Sequence, residues 1–190
     1  MSLRRVSAKQ GQDHMPPKTD ELADFAMQAN KMIGNYRLEF TISPKTLRSS
    51  TYCVAGLAWH SIKFDKAEFK KLPNDKRGVY ALVLCEPNSA LPQHGYVLYI
   101  GIAGRDSNRS LRSRCGDYLN AKKLIKARQG IAFAIGNWRD VLHLFYVAVD
   151  DSVSNSDLKQ LERELNGALM PPYSRGDVEA TTKNMQKAFK

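Results

Sequence analysis

Tyr80 and Tyr99 belong to two apolar runs, GVYALVL (78–84) and YVLYIG (96–101), joined by a polar stretch holding Pro87, Asn88, Ser89, Pro92 and Gly95. Downstream, Arg114 and Tyr118 stand four residues apart, and Glu162 sits in a leucine-patterned segment. Two phenols, a guanidinium and a carboxylate form a coherent set for phosphodiester hydrolysis. The glutamate would hold one divalent cation, Mg²⁺ or Mn²⁺, a hard ion that prefers oxygen ligands and keeps most of its waters. That ion would stabilise the leaving oxygen while the arginine stabilises charge on the phosphorane. A tyrosine could take the proton of the attacking water, provided nearby positive charge lowers its pKa from about 10. With a single acid, one metal is expected rather than a two-metal carboxylate cluster.

Positioning these groups requires a hairpin and two helices. Both apolar runs are rich in Val, Leu and Tyr, and the stretch between them is built of turn-formers, so 78–101 reads as a β-hairpin. If Tyr80 pairs opposite Tyr99, the period-2 alternation of strands puts both phenols on one face. After a loop at 102–108, a helix is expected from about Arg109, with Asn108 or Ser107 as cap and Leu111, Cys115, Tyr118 and Leu119 as its inward stripe. Arg114 falls at the edge of that stripe, one turn before Tyr118. A second helix spans Asn155 to Leu169, with Asn155, Ser156 or Asp157 as cap, Leu158, Leu161, Leu165 and Ala168 facing inward, and Pro171-Pro172 beyond its end. Glu162 lies about 70° from the centre of that stripe and Glu164 about 90° to the other side. Glu162 can therefore lean over the sheet edge, and Glu164 meets solvent.

The other elements are read the same way. Residues 1–18 are polar, basic and expected to be disordered. Leu22, Phe25, Ala26, Ala29 and Ile33 predict a helix up to Gly34, and Arg37 to Ile42 alternates as a strand does. The segment Thr51 to Ile62 is apolar without a period and stays open between helix and buried strand. Phe64 to Leu72 reads as a short helix stopped by Pro73. Gly130 and Gly136 leave 129–138 undecided, whereas Val141 to Val149 is a strand.

The chain has 190 residues, 43% of them hydrophobic, enough for one substantial core. Its formal charge of +10 attracts polyanions, with nucleic acid first and an anionic membrane surface second. No run approaches the roughly 20 apolar residues of a membrane span, and no signal-peptide core is present, so a soluble cytoplasmic protein is expected. Cys53, Cys85 and Cys115 are far apart, as are His14, His60, His94 and His143, so neither a disulfide framework nor a zinc site is indicated. Arg105, Arg109, Arg112, Arg114, Lys122, Lys123, Lys126 and Arg128 crowd together with few acids among them. That density points to a phosphate-binding surface, with Arg105, Arg109, Arg112, Lys122, Lys123 and Lys126 as nucleic-acid contacts.

GVY, YIG, Arg114 with Tyr118, and Glu162 followed by Leu165, Pro171 and Tyr173 occur in an order that resembles the GIY-YIG nuclease superfamily. The lead-in FKKLPNDKRGVYAL is similar to that family's approach to its first strand, and the resemblance covers Leu72 to Ser174. It implies an α/β (α+β) core with a three-stranded antiparallel sheet, the hairpin plus Val141 to Val149, flanked by helices. It also implies Tyr80 as general base or water-orienting group and Tyr99 as an aid in placing the water or the scissile phosphate. Arg114 is implied as the phosphate-stabilising arginine, Tyr118 at a position held by His or Tyr, and Glu162 as the metal ligand. The hairpin loop and the 102–113 segment are longer than usual, so Arg109 competes with Arg114, whose spacing to Tyr118 fits better. Ser174 stands where the family often has Asn.

The expected plan is a tail (1–18), an amino-terminal extension packed on the core (19–71), the nuclease core (72–174) and a basic tail (175–190). Such a plan suits a small stand-alone restriction or phage-type DNA endonuclease, acting on double-stranded DNA as a homodimer. The competing expectations are a nucleic-acid-binding module without cleavage and a repair-type nickase.

Overall fold

The structure, a computed structural model, describes residues 57–85, 94–105 and 107–174, together with residues 28, 31, 32, 34 and 38–40. The chain separates into two compact units, Met1–Arg37 and Leu38–Lys190. In the first, Gln28, Lys31, Met32 and Gly34 are helical. The rest of that expected helix, the 1–18 and 175–190 tails, most of the 37–42 strand and the 86–93 loop lie outside the described residues.

The second unit is an α+β structure around a four-stranded antiparallel sheet: β1 (His60–Lys63), β2 (Gly78–Leu84), β3 (Tyr96–Ala103) and β4 (Leu142–Ala148), in the order β1-β4-β2-β3. Three strands were expected. The fourth comes from the end of the segment that had no period: Ile62 turns inward opposite Leu144 while His60, Ser61 and Lys63 stay exposed. Four residues with one buried side chain are too short a pattern to read as a strand from sequence. β2 is central, bonded to β3 and β4, and all its residues but Leu84 are buried. Its alternation separates two apolar layers, Tyr80 and Leu82 on one face and Val79, Ala81 and Val83 on the other.

Three helices cover the tyrosine face: α1 (Leu111–Gly116), α2 (Ala121–Ala127) and α3 (Gln129–Trp138). They bring Leu111, Cys115, Leu124 and Ile131 onto Tyr80, Leu82 and Leu144. The cap of α1 is Ser110, whose hydroxyl accepts from the Ser113 amide, rather than Asn108 or Ser107. The chain tightens after Gly116 into a 3-10 turn over Asp117–Leu119, which keeps Tyr118 inside but leaves Leu119 exposed, against the expected stripe. Fewer residues per turn rotate the pattern off the α-helical face. The undecided 129–138 segment is helical, and Gly130 is compatible because a Cβ there would come 2.9 Å from the Tyr173 ring. The short helix expected over 64–72 is a 3-10 turn, Glu68–Lys71, anchored by the edge-to-face pair of Phe64 and Phe69.

The opposite face is covered by α4 (Asn155–Leu169). Leu158, Leu161 and Leu165 pack on Val79, Ala81, Ile100 and Ile102. Its cap is Ser154, one residue ahead of the three candidates, accepting from the Asp157 amide. At the other end Met170 adopts a left-handed conformation (φ 41°) and the chain turns back to β3. The Tyr173 amide donates to the Leu98 carbonyl, and Ser174 Oγ accepts from the Ile100 amide, so residues 173–174 cover part of the outer edge of β3. Among the described residues no helix is long and apolar enough to cross a membrane.

Candidate active site

Tyr80 pairs with Gly101, and Tyr99 pairs with Leu82. The expected Tyr80–Tyr99 register is therefore off by two residues, which preserves the face and makes the phenols diagonal neighbours with ring centres 6.2 Å apart. The glycines explain the register. A Cβ on Gly101 would come 2.7 Å from Tyr80 Oη and 2.8 Å from Tyr99 Cε1, so the ring of Tyr80 can lie across the strand only where no side chain stands. A Cβ on Gly78 would collide with the Val147 carbonyl of β4. A bulge between Leu82 and Val83 lets Leu98 and Tyr99 both join the tyrosine-face core.

Tyr118 completes a cluster of three phenols, with ring centres 5.9 Å from Tyr80 and 6.4 Å from Tyr99. Tyr80 Oη and Tyr118 Oη are hydrogen-bonded at 2.8 Å. Arg128, in the joint between α2 and α3, donates from Nη1 to Tyr99 Oη (2.9 Å) and Tyr118 Oη (3.2 Å). Arg114 approaches the Tyr80 and Tyr118 oxygens from α1. Burial pulls its pKa down, but the Tyr80 and Tyr118 oxygens outweigh that and the net shift is upward.

The condition set for a tyrosine base, a lowered pKa, is not met by two of these phenols. Burial pushes Tyr80 well above its usual value, and Tyr118 and Tyr99 add to the rise; the Arg114 charge opposes it only in part. Tyr118 is raised for the same first reason, against its hydrogen bond to Tyr80 and the charges of Arg128 and Arg114. Removing a phenolate from water costs more than two partly solvated guanidinium groups return. Both are neutral in the resting protein, and Tyr80 has no exposed surface.

Tyr99 instead lines a cleft of about 570 Å³. Ile102 lines it too, from the opposite face of β3, so the cleft straddles that strand's edge. This explains how groups from two layers meet. Arg114 and Arg128 arrive from the tyrosine face, and Glu162, buried on α4, arrives from the other. Glu162 thus takes the margin position its angle predicted, while Glu164 is half-buried and accepts from Gln160. Gly104 lines the cleft with φ 84°, and a Cβ there would also meet Arg77.

The basic residues divide by what they already hold. Arg109 lines the cleft but is engaged: Nη2 lies 2.8 Å from both the Asp117 carboxylate and the Ser113 carbonyl. Arg114 is only 3.9 Å from that carboxylate. Lys123 binds the other Asp117 oxygen at 2.9 Å. Burial alone would raise the Asp117 carboxyl, but Lys123 and Arg109 hold it below its usual range. Arg112 does not face the cleft; its Nε donates to the Leu72 carbonyl and ties α1 to the segment before β2. Arg105 is exposed at the cleft, and Lys122 and Lys126 are exposed on α2.

Among the described residues the cleft is lined by one carboxylate, Glu162, beside tyrosine and serine hydroxyls. This donor set fits a hard divalent cation that takes its remaining oxygens from water and a bound phosphate. Among the described residues no group of three or more His, Cys, Asp or Glu side chains could hold a metal. Cys85 and Cys115 are buried, and burial raises the thiol of Cys115. The participant that sequence reasoning missed is Arg128. It was one charge among eight in a basic run, and no helical face contains it, because it sits at a joint with φ −147° and ψ 63°. Ser174, at the position where an asparagine was the comparison, is 1% exposed and serves the backbone of β3. Compared with known proteins, the chain matches no protein-family model, no curated protein and no solved structure.

Proposed function

We propose that this chain is a divalent-metal-dependent endonuclease of the GIY-YIG type that hydrolyses phosphodiester bonds of double-stranded DNA, as a restriction or phage-type enzyme. The observation that carries the reading is the meeting of Tyr99, Arg114 and Glu162 in one cleft at the edge of β3. Glu162 would hold Mg²⁺ or Mn²⁺, which when bound supplies positive charge for the leaving oxygen. Arg114, with its weak ion pair, has a guanidinium to offer the phosphate, whereas Arg109 would have to leave Asp117. Tyr99 accepts from Arg128 and keeps its own O–H to donate to a water or a phosphate oxygen. Tyr118, itself hydrogen-bonded to Tyr80, shares Arg128 Nη1 with Tyr99 and so backs that phenol from behind. Arg105, Lys122 and Lys126 extend the positive surface along which a DNA backbone would run. A homodimer would cut both strands, and the reduced thiols suit the cytoplasm.

The second reading, a nucleic-acid-binding module without cleavage, is favoured by the neutral, buried state of Tyr80 and Tyr118. Supercoiled plasmid incubated with Mg²⁺ or Mn²⁺ separates the two. Nicked or linear product from the wild type, lowered at least about a hundredfold in Glu162→Gln, supports the nuclease. Equal cutting by that variant, or a wild type that binds nucleic acid and never cuts, removes it.

A further inference from the structure

We infer that Arg128 is a second phosphate-binding residue of this cleft, gripping the two unesterified oxygens of a backbone phosphodiester beside the group held by Arg114. This rests on the phosphodiester reading of the cleft and adds a residue that no motif indicated. Both side-chain hydrogen bonds of Arg128 leave from Nη1, to Tyr99 and Tyr118. A guanidinium has five N–H donors in a fixed plane. Nε and Nη2 therefore have no protein acceptor among the described residues, and they form the edge that matches a pair of phosphate oxygens.

The plane is set before any ligand arrives. Nη1 is pinned between two phenol oxygens, and the guanidinium carbon lies 5.6 Å from the centre of the Tyr99 ring. Tyr99 on β3 and Tyr118 in the 3-10 turn after α1 are both buried, so the open edge is preorganised. Charge points the same way. Arg109 and Lys123 bind Asp117, while half-buried Arg128 has no carboxylate partner among the described residues. A partly desolvated cation without an anion is unfavourable by itself, and a phosphate entering the cleft would supply the anion.

Salt dependence tests this directly. A labelled DNA duplex is titrated by fluorescence anisotropy, in EDTA and at several salt concentrations, with the wild type and Arg128→Met. Loss of one phosphate contact lowers the slope of log K against log salt by about 0.9 and weakens binding about eightfold near 0.1 M salt. A folded Arg128→Met protein with the wild-type slope overturns the inference. Arg128→Lys covers the case in which the methionine variant does not fold. It should keep the slope, because the charge stays, and lose about tenfold or more in single-turnover cleavage, because the planar fork is gone. Wild-type cleavage by Arg128→Lys overturns the geometry argued here. Binding without metal is independent of cutting. A wild type that binds but never cuts, with the slope lowered in Arg128→Met, removes the nuclease and leaves the Arg128 contact. A cutting wild type with an unchanged slope in the variant does the reverse.

Discussion

Raising the pH through 10 will destabilise this protein through two particular phenols. Tyr80 and Tyr118 are buried, and both pKa values are raised, Tyr80 well above its ordinary value. In the unfolded chain each phenol ionises near about pH 10. A group whose folded pKa is raised contributes stability that is fully present below the unfolded pKa and is lost as pH rises toward the folded one. Above pH 10 the unfolded state releases a proton that the folded state retains. By about pH 11 each phenol therefore removes about 1.4 kcal/mol from the unfolding free energy, and the pair about 2.8 kcal/mol. Lysines titrate in the same range, so the decisive quantity is a difference between proteins. Tyr80→Phe should be about 1 kcal/mol less stable at neutral pH, having lost the hydrogen bond to Tyr118. Between about pH 8 and 11 it should then lose about 1.4 kcal/mol less than the wild type. Urea unfolding across this range measures the difference, and phenolate absorbance at alkaline pH gives an independent reading. Parallel pH profiles for the two proteins, or ionisation of all eight tyrosines near pH 10 before unfolding, refutes the neutral, buried cluster.

Three further outcomes are expected. Gly101→Ala places a Cβ 2.7 Å from Tyr80 Oη and 2.8 Å from Tyr99 Cε1 and should cost about 1–3 kcal/mol, read as a lower urea midpoint; an unchanged midpoint contradicts the packing. The Asp117 carboxyl is held low, so its contribution is present above its unfolded pKa of about 3.9 and disappears as pH falls through the folded value. Acid titration of unfolding should show about 1 kcal/mol of this in the wild type and none in Asp117→Asn, and identical profiles would show that the three-cation cluster contributes nothing. Under the proposed activity, Arg114→Ala should lose about a hundredfold or more in cleavage and Arg109→Ala clearly less; full activity of the Arg114 variant would transfer the role.

The cleft depends on one edge. Helices on opposite faces of a sheet are separated by the sheet itself, and groups from both can meet only where the sheet stops. β3 is that stopping place, and among the described residues 173–174 cover it along Leu98 and Ile100. The polar strip beyond remains for Tyr99, Arg114, Arg128 and Glu162.

The hairpin, the β4 strand and the bounds of α4 were legible in the sequence because each carries a local signal: alternation, turn residues, a leucine stripe before paired prolines. The placement of Glu162 at a helix margin followed from the same angular spacing. What depended on distant partners was not legible. β1 exists as a strand because β4 has a free edge beside it, and Tyr80 faces Gly101 because only a glycine leaves room for its ring. Whether an arginine is engaged or open depends on which acceptors fold against it, so Arg112 went to a backbone carbonyl, Arg109 to Asp117 and Arg128 to the tyrosines. Composition and spacing determined that phenols, guanidinium groups and one carboxylate are available in this order. Tertiary structure decided that Tyr80 and Tyr118 stay neutral and that Tyr99 lines the cleft, because desolvation and hydrogen-bond partners are properties of the packed chain.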